Sequence, residues 1–391
     1  MRLEGIKKIK LKIIGIGNGG GNIISELSQR LKGIGFFVVN TDSNSFKKLP
    51  KHIGRFQIGQ NVTFGLGTGG DPELGEKIAK ESEEKIKKIL KGTDLCIFLG
   101  CLGGGTASGA IPIFCEVSQK LGNLNYGIFT LPFDFEGKKK KEIAKEAIKR
   151  IKENIHAFTI IENQRIFQII DKNSSLKSAL SELNKILARN LDSLIELIYK
   201  PGIINIDFAD IKTILKGRGK LTFLNIAKSK SEDYKEMINK LLHPPFYSYT
   251  PEGAKEVLFN LAGGKDLTLS TVEIISKGIS QFTKSQKIIF GISEKKEFQN
   301  YVRITLLATG CQASFLEKSY PKKEDFKKVE KSENQQGTKK REAVEAENNT
   351  QIRKNALQVR EEMKKIEREM LEREKFFEIP SIFRKQKKQN A

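Results

Sequence analysis

The sequence predicts an α/β fold: a doubly wound parallel sheet, a long connecting helix, a second and smaller mixed α/β domain, and a disordered charged tail. Three observations carry this. Short runs rich in Ile, Val and Phe alternate with charged amphipathic stretches over residues 1–316, the pattern of strands buried on both faces between covering helices. Glycine-rich segments punctuate the ends of those runs, as they do where a parallel strand turns into its helix. Beyond Phe315 the composition changes, and residues 317–391 hold 21 Lys and Arg and 15 Asp and Glu. A stretch so charged, with so little apolar periodicity, cannot bury enough surface to order itself.

Taken in order, KLKIIGIG, FFVVNTD, DLCIFLG and YGIFTLPF read as buried strands. Ile23 to Leu31, Gly75 to Lys91, Ala110 to Leu121 and Lys138 to Asn154 read as the helices between them. Ser174 to Tyr199 is a long amphipathic helix, stopped by Pro201-Gly202. In the second domain GKLTFLNIAKS, KIIFGIS and YVRITLLAT read as strands, and Asp233 to Leu242 and Thr250 to Leu261 as helices.

The formal net charge is +22, from 69 Lys and Arg against 47 Asp and Glu. Such an excess raises nucleic acid as a partner. The lysines are spread through helices and loops instead of forming one basic block, so a solvated surface is the simpler account and no specific nucleic-acid site is expected. Cys96, Cys101, Cys115 and Cys311 lack C-x-x-C spacing, and His52, His156 and His243 are scattered. Reduced thiols and no protein-encoded metal site follow. No apolar run approaches the roughly 18 residues of a membrane span, and MRLEGIKKIKLK is not a signal peptide. A cytoplasmic location is the expectation.

The chemistry is concentrated in the glycines. The first strand runs into Gly15-Ile-Gly17-Asn-Gly19-Gly20-Gly21-Asn22 and then a helix. Glycines there let backbone N–H groups and the positive end of a helix dipole approach a phosphate. The G-x-G-x-x-G pattern at Gly15, Gly17 and Gly20, with Asp42 closing the second strand, also fits a nicotinamide-dependent oxidoreductase. Two further loops argue against that, because a dinucleotide needs one phosphate loop: Gly65-Leu-Gly67-Thr-Gly69-Gly70, and Gly103-Gly104-Gly105-Thr106-Ala107-Ser108-Gly109. Thr106 and Ser108 add hydroxyls beside the amides, a cradle suited to a nucleoside triphosphate and its magnesium.

At these residues the chain resembles the tubulin superfamily, on its FtsZ side. GGGTASG is similar to the family's signature loop. NTD at Asn40 to Asp42, PFDFEG at Pro132 to Gly137, ENQR at Glu162 to Arg165 and NIDFAD at Asn205 to Asp210 follow in the matching order. EGAKEVLFNLAGGKDLTL and VRITLLATG extend the resemblance to about residue 315, and Glu378 to Gln386 resembles the family's adaptor-binding C-terminal peptide. The resemblance implies GTP or GDP as ligand, with magnesium carried by the nucleotide. It places Gly19, Gly20, Gly21 and Asn22 at the diphosphate and Gly67, Gly69 and Gly70 over the γ-phosphate. Gly103, Gly104, Gly105, Thr106, Ala107, Ser108 and Gly109 form the cradle, Glu136 meets the ribose, and Asn163 meets sugar and base. Lys140 stands where the family has an arginine, Leu180 where a phenylalanine stacks on the base, Asn184 where an aspartate reads guanine, and Asn18 where a glycine is usual. Ala107-Ser108 replaces Gly-Thr.

The implied division is a GTP-binding domain at 10–175, the connecting helix and acidic loop at 176–215, a second, GTPase-activating domain at 216–315, a charged linker at 316–376 and a terminal peptide at 377–391.

The acidic loop admits two readings. On the residues alone, Asp207 caps the helix that follows and Asp210 favours its first turn. On the resemblance, Asn205, Asp207 and Asp210 enter the nucleotide pocket of the next subunit and position the attacking water, which couples GTP hydrolysis to head-to-tail assembly of filaments at the midcell division site. A superfamily member that binds nucleotide without turnover is the remaining alternative, and the intact acidic loop argues against it. The terminal peptide, with Phe377, Ile379, Ile382 and Phe383 beside four cationic residues, would dock on a membrane-tethering adaptor.

Overall fold

The computed structural model describes residues 9–313 apart from 32, 172, 231–232 and 299–300. The linker at 316–376 and the terminal peptide at 377–391 therefore lie outside the described residues. Ten strands form one sheet: β1 (Leu11–Ile16), β2 (Gly35–Asn40), β3 (Gly54–Gln57), β4 (Leu95–Cys101), β5 (Leu124–Leu131), β6 (Ala157–Glu162), β7 (Lys220–Ser229), β8 (Glu256–Gly263), β9 (Lys287–Glu294) and β10 (Val302–Thr309), in the order β3-β2-β1-β4-β5-β6-β7-β10-β8-β9. Every pair from β3 to β6 is parallel, with β1 central. The chain reverses strand order at β1, and the crevice beyond the carboxyl ends of such strands is where ligands bind in open α/β sheets.

The helices are α1 (Gly17–Leu27), α2 (Gln60–Thr63), α3 (Pro72–Glu81), α4 (Glu83–Leu90), α5 (Gly105–Lys120), α6 (Lys138–Asn154), α7 (Leu176–Tyr199), α8 (Phe208–Leu215), α9 (Tyr234–Leu242) and α10 (Leu269–Thr283). The core lies against both faces of the sheet, and β1 and β4 are buried almost end to end. That is why these strands read as continuous apolar runs instead of alternating ones.

The second half of the sheet is mixed: β10 runs antiparallel to β7 and β8, and β8 runs parallel to β9. It meets the parallel half through only two residue pairs, Ala157 with Lys220 and Phe158 with Leu221. Past that point side-chain hydroxyls replace the ladder. Tyr249 donates to the Thr222 carbonyl at 2.7 Å and accepts from the Ile160 N–H at 3.3 Å. Thr159 Oγ1 lies 2.7 Å from both Tyr126 Oη and Thr222 Oγ1.

Four sequence expectations need correction. Residues 75–91 form two helices, because the backbone turns aside at Ser82 (φ −92, ψ 8), whose N–H reaches the carbonyls of Ile78 and Ala79. The first helix begins at Gly17, six residues before Ile23, since packing holds glycines in helical backbone against their low propensity. The segment 250–261 is not a helix: its second part opens β8, which is buried between β9 and β10 and so shows no alternation. Helix α10 went unread because its β-branched residues (Thr271, Val272, Ile274, Ile275, Ile279, Thr283) suggest a strand. Strand β3 (GRFQ) lacks a sequence signal of its own, whereas β6 (AFTIIE) carries the same apolar, β-branched run as its neighbours. Asn18 has ordinary helical backbone, and the positive φ falls on Gly17 (+76).

Candidate functional site

The loops after the six parallel strands β1 to β6 open on one cleft of about 600 Å³ at their carboxyl edge. Of the sequence-derived residues, Gly19, Gly67, Gly69, Gly70, Gly103, Gly104, Gly105, Thr106, Ala107, Glu136, Lys140 and Asn163 line it. Gly20, Gly21, Ser108 and Gly109 are buried behind this lining. Asn22, Leu180 and Asn184 fall outside it, on α1 and α7, two helices joined by a hydrogen bond from Ser181 Oγ to Glu26 Oε1 at 3.1 Å.

Three helices, α1, α5 and α6, start at this cleft, and none has a side chain accepting from its leading N–H groups. Of the other helices, α3, α7, α8, α9 and α10 are capped by Asp71, Ser175, Asp207, Asp233 and Thr268, whereas α2 and α4 are not. Neither α1 nor α5 carries an acidic residue in its first turn. Uncapped helix starts converging on one space leave a set of oriented donors with the dipoles' positive ends, an anion-binding arrangement.

Helices α3 and α5 approach backbone to backbone below the cleft. A Cβ on Gly109 would overlap the Pro72 carbonyl oxygen and lie 2.6 Å from the Glu76 nitrogen, whereas a Cβ on Gly104 would meet nothing within 4 Å. The two glycines thus serve different ends: Gly109 allows the helices to close, and Gly104 presents open backbone to the cleft.

The sequence points to the Thr106 hydroxyl but not to the two hydroxyls, of Thr41 and Thr68, that it meets. Thr41, Thr68 and Thr106 are all buried, and Thr106 Oγ1 lies 2.8 Å from Thr41 Oγ1 and 3.4 Å from Thr68 Oγ1. Their signal was one Thr in each of three loops. The Ser108 hydroxyl, expected beside the phosphates, accepts from the Gly103 N–H at 2.9 Å and holds the loop's shape. Gly17, Asn18, Asn40, Asp42, Leu66, Cys101, Leu102 and Pro132 complete the lining. Cys101 borders Gly19, and burial pushes its thiol pKa up.

On the far wall Glu136 accepts from Lys140 at 2.8 Å and from the Phe133 N–H at 2.9 Å, so its carboxylate is held in place. Asn163 is 7% exposed and its Oδ1 has no partner. A buried amide oxygen without a donor costs roughly 1–3 kcal/mol, which a ligand hydroxyl or N–H would recover.

The acidic loop lies elsewhere. None of Asn205, Asp207 and Asp210 lines the cleft. The 24 residues of α7 precede it, a span of about 36 Å at the helical rise. Gly202 N–H donates to Asn205 Oδ1 at 3.2 Å, and Ile204 exchanges backbone hydrogen bonds with Ile292 of β9. Asp207 Oδ1 accepts from the Asp210 N–H at 2.8 Å and Asp210 Oδ2 from the Asp207 N–H at 3.0 Å, a reciprocal cap. The capping reading is therefore observed. It uses one oxygen of each carboxylate, and no cation pairs with either among the described residues.

Residues 10–171 match the Tubulin/FtsZ family GTPase domain and residues 223–312 the FtsZ family C-terminal domain. The Cell division protein FtsZ of Buchnera aphidicola subsp. Baizongia pistaciae is 34% identical over 303 residues, covering 77% of this chain and 78% of that protein. The chain belongs to the tubulin/FtsZ family. Cell division protein FtsZ 1 of Methanocaldococcus jannaschii is 35% identical over 310 residues, covering 78% of this chain and 84% of its own. An FtsZ dimer structure from M. jannaschii superposes with a TM-score of 0.69 at 34% identity, covering 78% of this chain and 89% of that one. The two FtsZ domains fall on the two halves of the sheet described above. The GTPase-domain match covers all three glycine loops and the second match covers β8, α10, β9 and β10.

Proposed function

We propose that this chain is a self-assembling GTPase that binds GTP in the cleft and hydrolyses it at a head-to-tail contact, where the next copy supplies Asn205, Asp207 and Asp210. The observation that carries the reading is the convergence of uncapped α1, α5 and α6 on one cleft whose wall holds the unpartnered Asn163 Oδ1. Backbone N–H groups of Gly19, Gly104, Gly105 and Thr106 hold the phosphates, Gly67, Gly69 and Gly70 close over the terminal one, and Asn163 and Glu136 take the sugar and base. Among the described residues no group of three His, Cys, Asp or Glu could hold a metal. Magnesium would be carried by the phosphates, where it supplies charge neutralisation.

Phosphoryl transfer requires an aligned water and charge compensation more than a strong base. The unused oxygens of Asp207 and Asp210 suit that task, but within one copy neither residue lines the cleft. Both ends also expose apolar side chains, Phe64 and Leu66 at 82% beside the cleft and Ile203 at 69% beside the acidic loop. Such exposure supports a contact between copies. A heterologous contact of this type repeats into a filament unless rotation closes it. The filament would organise the division ring in the cytoplasm at midcell, tethered through an adaptor bound at Glu378 to Gln386. The match of residues 10–171 to the Tubulin/FtsZ GTPase domain speaks against the nicotinamide alternative.

The test mixes two inactive variants. Asp210→Asn keeps the cap but loses a carboxylate; Gly104→Asp puts a charge into the cradle. Each alone should release little phosphate. Mixed in equal amounts they should recover about a quarter of wild-type turnover, the share of contacts pairing an intact cleft with an intact loop. No recovery would mean that the loop acts only as a cap.

A further inference from the structure

Asn18 is the second residue of α1, exposed and on the cleft lining, at a position where neither backbone geometry nor packing requires an amide side chain. Its orientation is nevertheless fixed by its neighbours. Asn40, buried at the end of β2, accepts with Oδ1 from the N–H of Thr41 at 2.8 Å and of Asp42 at 3.3 Å. Backbone N–H groups can only donate, so this oxygen cannot exchange places with Nδ2. A second lock agrees: Ser45 Oγ donates to the Asp42 carbonyl at 2.6 Å, so it must accept from Asn40 Nδ2, which lies 2.8 Å away. The other hydrogen of Asn40 Nδ2 goes to Asn18 at 2.5 Å and demands its oxygen. The Asn18 carboxamide is thereby turned so that Oδ1 faces β2 and both hydrogens of Nδ2 are left without a partner among the described residues.

We infer that Asn18 is a phosphate-binding residue, adding a side-chain donor to the backbone donors of α1 for the polyphosphate of a nucleoside di- or triphosphate. The assignment rests on the cleft binding GTP as proposed above. Asn40 is the positioning residue behind it, since its own bonds set which end of the Asn18 amide meets the ligand.

The experiment compares wild type, Asn18→Ala and Asn18→Asp for GTP and GDP affinity by titration calorimetry, with thermal unfolding in the absence of nucleotide. Asp keeps an oxygen to accept from Asn40 but replaces the donor with an anionic oxygen, whereas Ala removes both. A phosphate donor predicts the order wild type, then Ala, then Asp. Asn18→Ala should bind both nucleotides roughly ten-fold more weakly, the range for a hydrogen bond to a charged group, and Asn18→Asp more weakly still. The unfolding midpoint should be unchanged for Asn18→Asp, which keeps the acceptor for Asn40, and slightly lower for Asn18→Ala, which leaves one hydrogen of the buried Asn40 amide unpaired. A purely structural link to Asn40 predicts instead that Asp matches wild type and Ala is the weaker variant, and that order would overturn the assignment, as would equal affinities for all three. Wild-type protein that bound neither nucleotide would sink the GTP reading itself, and this assignment with it.

Discussion

Replacing Gly109 with alanine should destabilise the protein without touching the ligand, and replacing Gly104 should do the reverse. At Gly109 the new methyl would overlap the Pro72 carbonyl and press on the Glu76 nitrogen and Gly75 carbon at 2.6 and 2.9 Å. All three are main-chain atoms of α3 or its first turn, so no side chain can swing aside, and α3 and α5 must part. Overpacking a well-filled interior costs about 1–3 kcal/mol, and a main-chain obstacle belongs at the upper end. Alanine regains about 1 kcal/mol of helix propensity over glycine, so the net loss is about 2 kcal/mol. For a folded region of this size that corresponds to a fall of roughly 3 °C in Tm. Gly104 has φ −92 and open space where its Cβ would stand, so Gly104→Ala should unfold at the wild-type temperature while weakening nucleotide binding, because the methyl enters the cradle. Differential scanning calorimetry without nucleotide, paired with GDP titration of both variants, reads the two effects separately. A Gly109→Ala protein as stable as wild type would refute the claim that these helices meet main chain to main chain.

Two further outcomes follow from ionisable groups away from the cleft. Burial pushes the Glu196 carboxyl up, but hydrogen bonds from Lys295, Lys200 and Arg303 outweigh it and hold the pKa down at about 2. Its contribution is complete above pH about 4.5, the ordinary carboxyl range, and is lost as pH falls toward 2. Glu196→Gln should lower urea stability at pH 7 by about 2–4 kcal/mol, leaving Lys295 and Arg303 nearly buried and unpaired, and the gap to wild type should close in acid. His156 has its pKa lowered by burial and then by Lys216 and Lys212, and its Nδ1 accepts from the Asn125 N–H. Its neutral form is the folded form, so stability is full above pH about 6.5 and declines below it. Urea midpoints at pH 7.5 and 5.5 should differ more for wild type than for His156→Gln.

The parallel half of the fold was legible because β1, β2, β4 and β5 are buried on both faces, and uninterrupted Ile, Val and Phe betray them. Lys138–Asn154 was bounded to the residue, since Gly137 and a change in charge mark its ends. Beyond α7 the same rule misled: β8, between two partners, offers no alternation, and α10 is rich in residues that suit strands. In the cleft, glycine spacing located the loops but not the division of labour within them. That Ser108 turns inward, or that Thr41, Thr68 and Thr106 meet, depends on which strands are neighbours, and that information is not local. The acidic loop was read in two ways from sequence, and the capping geometry is the one visible within a single copy.

The seam between β6 and β7 bears on how the molecule yields under load. A backbone ladder fails all together, because each bond fixes the register of the next. Here two rungs are followed by hydroxyls of Tyr126, Thr159, Thr222 and Tyr249, and two of these have a second acceptor in reach, the Thr222 carbonyl 3.2 Å from Thr159 Oγ1 and the Ile160 carbonyl 3.4 Å from Tyr249 Oη. The two halves can therefore shear in small steps with little loss of bonding, while α7, packed on both, transmits the displacement lengthwise like a pushrod. Compliance in such a sheet resides at one line of side chains, and stiffening that line with a Thr222→Val substitution would alter the spring more than the strength.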